Sequence, residues 1–291
     1  MNAPHILFDR KLLRARQRRA EQTGVEKFLL ERATDELLAR LSTITRRFPQ
    51  AALIETPSGE QIKGQLLATG RIEAVDHLEI EDATETVSGE PSRYDLAVSL
   101  LSIQWLNDLP GVLAQIKRLL KPDGLLLAAM IGGGTLTELR DALASAESEV
   151  EGGIAPRVSP FVEVRTLGGL LQRAGLALPV TDADSFTVRY DNMLELMRDL
   201  RRMGATNALI ERSRKPLRRA TLFRAAEIYR ERYADADGRV RATFEILWLS
   251  GWVPHESQQQ PLKPGSAKAR LADALRAVEL PAGDKTGLKK S

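Results

Sequence analysis

The 291-residue chain is 43% hydrophobic and 28% charged, which supplies a sizeable core and excludes wholesale disorder. It has no cysteine, so disulfides, thiolate metal sites and cysteine nucleophiles are ruled out; the three histidines (His5, His77, His255) stand at no metal-ligand spacing, and no metal is expected. A net charge of +3 falls short of a uniformly basic nucleic-acid binder, and no apolar run approaches the ~20 residues that span a bilayer.

The N-terminus carries no apolar segment followed by a cleavage site, so a cytoplasmic protein is expected. Its positive charge is local. The run Arg10-Lys11-Leu12-Leu13-Arg14-Ala15-Arg16-Gln17-Arg18-Arg19 predicts a basic helix, either solvated beside the core or clamping an acidic surface. Residues 25–47 predict an amphipathic helix on Phe28, Leu29, Ala33, Leu37, Leu38 and Leu41, stopped by Pro49. Ala51-Ala52-Leu53-Ile54-Glu55 predicts a buried strand, the turn Thr56-Pro57-Ser58-Gly59 ends it, and a helix follows from about Gln61 to Leu67. Arg71 to Glu81 predicts an extended segment.

Tyr94 to Leu101 is the clearest buried strand in the first half. Asn107 or Asp108 caps the next helix, with Pro110 in its first turn and Val112, Leu113, Ile116, Leu119 and Leu120 turned to the core. Lys121-Pro122-Asp123-Gly124 reads as a turn before a second apolar strand, Leu125 to Ile131. Beyond Gly132-Gly133-Gly134, Thr135 and Glu138 fit a capping box for a helix to about Val150. A helix beginning at Ser159-Pro160-Phe161 ends near Ala174-Gly175. Residues 176–190 predict a strand, 191–204 and 216–233 helices, and Arg241 to Trp252 a last strand; the tail from His255 reads as poorly ordered.

Two apolar strands joined by a helix form a βαβ unit, so the chain is expected to be α/β, with a parallel sheet covered on both faces. Three segments follow: 1–48, an N-terminal helical extension; 49–256, the sheet domain; and 257–291, a flexible tail. Ligands of such sheets bind at the carboxyl ends of strands, which points to the loops after Glu55, Asp76, Ser99 and Ile131.

Several strings together resemble one family. They are Phe8-Asp9-Arg10, Tyr94-Asp95-Leu96-Ala97-Val98-Ser99, Gln104-Trp105-Leu106-Asn107-Asp108-Leu109-Pro110, Leu120-Lys121-Pro122-Asp123-Gly124 and Thr135-Leu136-Thr137-Glu138-Leu139-Arg140. Glu151-Gly152-Gly153, Ser159-Pro160-Phe161, Met193 to Met197, Trp252 and His255-Glu256-Ser257 complete the set. They resemble the methyltransferase-fold assembly factors of respiratory complex I, a branch of the class I S-adenosylmethionine-dependent methyltransferases. More loosely, the chain is similar to the malonyl-carrier-protein methyltransferase of biotin synthesis. The resemblance implies a Rossmann-like sheet and S-adenosylmethionine as cofactor. It also implies a protein partner, a complex I subunit, and a place beside the inner membrane. Mitochondrial members are credited with hydroxylating an arginine on a complex I subunit.

The family pattern places an acidic residue and Gly-x-Gly-x-Gly after the first strand. The matching residues are Glu55, Thr56, Ser58 and Gly59, with Pro57 interposed and Glu60 following. A Glu60 carboxylate ~5 Å from the methionyl carboxylate would repel it by ~3 kcal/mol at a dielectric of ~20, about a hundredfold in affinity. Asp76, in preference to Glu79, is expected to hold the ribose hydroxyls. Ser99 and Leu100 end the next cofactor-side strand. The interval before Tyr94 is short for this family and lacks a full βαβ unit, which leaves the adenine wall incomplete.

Gln104, Trp105 and Asp108 are candidates for the substrate side of the cleft; packing, for the indole, and capping or solvation, for the polar pair, are the alternatives. No catalytic residue can be named, because methyl transfer depends chiefly on alignment. Two functions stand side by side: a methyltransferase-like protein acting in complex I assembly, and a non-catalytic descendant that binds a partner. The degenerate turn favours weak S-adenosylmethionine binding or none. A nucleic-acid binder using Arg10 to Arg19 is disfavoured, as no aromatics are interleaved for base stacking.

Overall fold

The computed structural model describes residues 6–258. Its centre is a sheet of six strands: β1 (Phe48–Ile54), β2 (Ile72–Leu78), β3 (Tyr94–Leu100), β4 (Leu120–Ile131), β5 (Ala177–Tyr190) and β6 (Val240–Trp252), in the order β2-β1-β3-β4-β6-β5. β1 to β4 are mutually parallel, and β6 runs antiparallel between β4 and β5. This is the expected α/β, Rossmann-like architecture, and its parallel strands are apolar throughout because both faces are covered.

Side chains alternate between the faces with the period of two that strands impose. Ala52, Ile54, Ala97 and Leu126 face α4 (Leu109–Leu119) and α6 (Val164–Arg173). Leu53, Leu96, Val98 and Leu127 face α2 (Phe28–Thr43) and α3 (Gly59–Ala68). A third cluster joins α5 (Thr137–Glu151), α7 (Met193–Arg202) and α8 (Arg219–Tyr233) to Phe244 and Ala242 of β6. The described residues up to His255 cluster as one compact unit. Leu37 and Leu41 of α2 are buried in the sheet's own core, each burial contributing ~1.5–3 kcal/mol, and Phe48 already belongs to β1.

The sheet ends at β2. Residues 79–93 return directly to β3 without a helix, held by an isolated bridge between Ile80 and Val87. The middle βαβ unit is thus shortened as the spacing implied. Other expectations need correction. Pro49 stops no helix; α2 has ended at Thr43 and the proline lies inside β1. Lys121 to Gly124 falls within the bounds of β4, yet the pairing jumps from Tyr94–Leu120 to Leu96–Leu125 and Asp123 takes φ +61°, so those residues do loop out.

The capping box does not form. α5 begins at Thr137; the Thr135 hydroxyl instead accepts from Glu245 N (2.9 Å), and Glu138 accepts from Thr243 N (3.1 Å). α6 begins at Val164, not at Ser159. Among the described residues no helix is long and apolar enough to cross a membrane. The predicted tail lies outside the described residues beyond Ser257 and Gln258.

Candidate functional site

Two cavities open at the carboxyl ends of the parallel strands. One, of about 560 Å³, lies over β1 and β2 and is bordered by Glu55, Ser58, Gly59, Glu79 and Ser102. The other, of about 580 Å³, lies beyond β3 and β4, bordered by Leu101, Gln104, Trp105, Ile131, Leu136 and Phe244. Gln17, Val25, Lys27, Pro57, Ser58 and Met203 border both, so the two meet at the turn after β1. Each volume falls within the roughly 300–1,000 Å³ of small-molecule sites.

The turn after β1 keeps a glycine-like path without the glycines. Glu55 and Ser58 adopt φ +43° and +54°, a left-handed conformation that costs ~1–2 kcal/mol for a residue with a Cβ. The buried Thr56 pins the turn: its hydroxyl donates to Ile54 O and accepts from Leu100 N, both at 3.1 Å. Gly59 leaves room for a neighbouring side chain: a Cβ there would stand 2.7 Å from Cε1 and 2.9 Å from Nε2 of the exposed His77, whose ring would have to turn aside. No side chain caps α3, and its first residues, Gly59 and Glu60, border the cavity.

Glu55 ends β1 as expected, but its carboxylate is already engaged. α1 (Arg10–Thr23) crosses the strand ends and delivers two arginines. Arg10, 4% exposed, lies 3.0 Å from Glu55, 3.2 Å from Asp82 and 3.8 Å from Glu85; Arg14 reaches Glu55 and Asp82 at 3.1 Å each. Burial pushes the Glu55 carboxyl above the ordinary range, against the pull of Arg10 and Arg14. Part of the basic run is therefore spent inside the protein; Lys11, Arg18 and Arg19 remain exposed. The signal for this was present: Arg10, Leu13, Gln17 and Ala20 fall on one helical stripe, and a cation on an apolar stripe calls for a buried partner. Glu85 was missed altogether. It accepts from Asn107 N (2.8 Å) and Asp108 N (2.6 Å) and holds the start of α4.

The remaining predicted residues divide. Asp76 is not brought to the cavity: it pairs in register with Ala52, two positions short of the end of β2, and bonds Arg93 (3.0 Å) and Tyr94 OH (3.1 Å). Glu79, just past β2, borders the cavity in its place. Ser99 and Leu100 are fully buried; the Ser99 hydroxyl meets that of Ser102 at 3.1 Å, and Ser102 is the one at the surface of the cavity. Asp108 borders neither cavity and caps α4 through Gly111 N (2.9 Å).

Trp105 and Gln104 do border the second cavity. The indole sits edge-on between Phe8 (5.4 Å) and Phe161 (5.3 Å), so it packs and lines at once. Gln104, 7% exposed, donates Nε2 to Leu101 O at 2.8 Å, and its Oε1 has no protein partner.

The charges sort by cavity. Over β1 and β2, Glu21, Glu55, Glu60 and Glu79 outnumber Arg14 and Lys27. In the second cavity six basic residues face one acid, Glu26. Among the described residues no group of three His, Asp or Glu side chains could hold a metal ion.

A family model described as a methyltransferase domain matches residues 11–179. The chain is 49% identical over 187 residues to the protein named arginine-hydroxylase NDUFAF5, mitochondrial, of Danio rerio, covering 64% of this chain and 58% of that protein. To the Rattus norvegicus protein of the same name it is 39% identical over 289 residues, covering 93% of this chain and 84% of that one. A malonyl-[acyl-carrier protein] O-methyltransferase of Xylella fastidiosa (strain M23) is 39% identical over 160 residues, 55% of this chain and 52% of the relative. The chain thus spans little more than half of the fish and Xylella proteins but most of the rat protein. Buried sheet, strand-end cavities and these matches agree: the chain belongs to the methyltransferase-domain family and, within it, to the family of the proteins named arginine-hydroxylase NDUFAF5.

Proposed function

We propose that the chain is a methyltransferase-like protein that holds S-adenosylmethionine in the cavity over β1 and β2 and acts on a protein partner during assembly of respiratory complex I. The observation that carries this reading is the pairing, across one cavity, of the uncapped α3 N-terminus with Glu79. Free N–H groups and the helix dipole suit the methionyl carboxylate. Glu79, at the end of β2, suits the ribose hydroxyls. The excess of carboxylates around the cavity suits the cationic sulfonium. Ala20, Val25 and Met203 supply apolar surface where the shortened middle leaves the sheet's edge open. When bound, the cofactor supplies an electrophilic methyl group; the chain's own residues hold and orient it.

The repulsion expected from Glu60 largely disappears. That side chain is exposed, and at ~5 Å in bulk water two carboxylates repel by only ~0.8 kcal/mol, a factor of about four. The partnership with a complex I subunit rests on the NDUFAF5 relatives, and we place the protein in the cytoplasm, peripheral to the inner membrane.

Calorimetric titration of the full chain with S-adenosylmethionine tests the reading. It predicts saturable binding, weakened about tenfold or more by Glu79→Gln, since a hydrogen bond to a charged group contributes ~1.5–3 kcal/mol. No heat at millimolar ligand would contradict it and leave the non-catalytic, partner-binding alternative.

A further inference from the structure

The second cavity joins an apolar wall to a cationic rim. Leu136, Leu139, Ile131 and Phe244 form part of the wall, with Trp105 and Phe161 to one side. The rim carries Arg16, Lys27, Arg157, Arg201, Arg212 and Arg214, drawn from α1, the start of α2, α7 and the loops around 157 and 212. Little of this charge is neutralised. Arg157 is held by Glu147 at 2.6 Å and Arg212 reaches Asp9 at 3.5 Å. Arg16 bonds only to the backbone carbonyls of Thr206 and Asn207, and Lys27 meets Gln61 Oε1 at 3.4 Å. Arg201 and Arg214 are exposed and have no partner among the described residues. Burial first, and then the nearness of Arg212, hold the Arg16 guanidinium below its usual value, as expected where cations crowd.

We propose that this cavity docks an acidic segment of a protein partner, which inserts an apolar side chain against the wall and sets its carboxylates on the rim. This rests on the reading that the chain acts on a protein. One feature favours a peptide over a small amphipathic anion. The cations come from several segments of the chain, so they match several negative charges at intervals rather than one headgroup.

The probe is a short fluorescein-labelled peptide of aspartate and glutamate with one central leucine, read by fluorescence polarisation with the full chain. Its controls are the same peptide with serine for leucine and with lysine for every acid. The acidic leucine peptide binds, both controls bind at least about tenfold more weakly, and affinity falls as salt rises. Arg201→Glu with Arg214→Glu weakens it about tenfold or more; both sites are exposed and unpaired among the described residues, so the fold should survive, which circular dichroism of the variant checks. Equal binding of the lysine peptide, indifference to the arginine changes, or displacement by decanoate at a concentration below that of the unlabelled peptide would overturn the proposal. Titrating the double arginine variant with S-adenosylmethionine separates the two readings: that affinity belongs to the other cavity and stays unchanged.

Discussion

Glu55 and Ser58 hold left-handed φ values that glycine would adopt freely, and this strain is concentrated in the turn closest to the proposed cofactor. Replacing Ser58 with glycine should therefore raise stability by up to ~1 kcal/mol, the relief being offset in part by glycine's unfolded-state entropy. Thr56→Gly should do the opposite, because it removes the hydroxyl that ties Ile54 to Leu100; a loss of ~1–2 kcal/mol in urea unfolding is expected. Restoring the glycine pattern is thus favourable at one position and harmful two residues earlier. Gly59→Ala should change stability by less than ~1 kcal/mol, because the added methyl meets only the far end of the exposed His77 ring, which can turn aside. A loss above ~2 kcal/mol in urea unfolding would show that the ring is held in place. At this scale the sequence was legible where a strand end is marked by a turn, as at Glu55, Ser58 and Gly59. It failed at Asp76, because nothing local to an alternating strand reveals which residue is last in register.

Among the elements, α1 contributes most beyond its own length. Its Arg10 is buried against Glu55, Asp82 and Glu85, so an ionic cluster fixes the helix where Arg14, Gln17, Ala20 and Glu21 border the cavity over β1 and β2. Glu55→Gln should lose about 3 kcal/mol, the low end for a broken buried pair, since two carboxylates remain near the guanidinium. The α5–α8 contact gives a pH signature. Asp141 accepts from Tyr233 OH and Arg232 Nη1 at 2.7 Å each; these bonds, Tyr233 first, hold its carboxyl below the ordinary range. Burial and then Asp141 push the Tyr233 phenol up to about 12. A depressed carboxylate contributes stability that is present above its unfolded value and lost as pH falls through the folded one. Asp141→Asn should therefore flatten the acid limb of the stability profile while leaving a smaller difference at pH 3 than at pH 7. An unchanged acid limb would remove Asp141 from that role. Helix stripes and strand alternation made nearly every element readable. The capping box at Thr135 and Glu138 misled because both side chains are claimed by β6, more than 100 residues away, and local pattern carries no trace of such a partner.

For the whole molecule, the parallel half of the sheet brings two cavities of opposite charge to one rim. The architecture was legible because strands buried on both faces have to be apolar throughout. The charge separation was not, since the six rim cations lie between position 16 and position 214 and are gathered only by the fold. The shortened middle was readable from spacing, but its replacement by α1 and Met203 as a wall was not. A crystal structure with S-adenosylhomocysteine tests the central claim most directly. The nucleoside should lie over the end of β2 with its ribose hydroxyls on Glu79, the amino-acid end at the N-terminus of α3 and the Arg10–Glu55 pair intact. Ligand seated among the arginines of the second cavity, or a cleft over β1 and β2 left empty at saturating ligand, would contradict it.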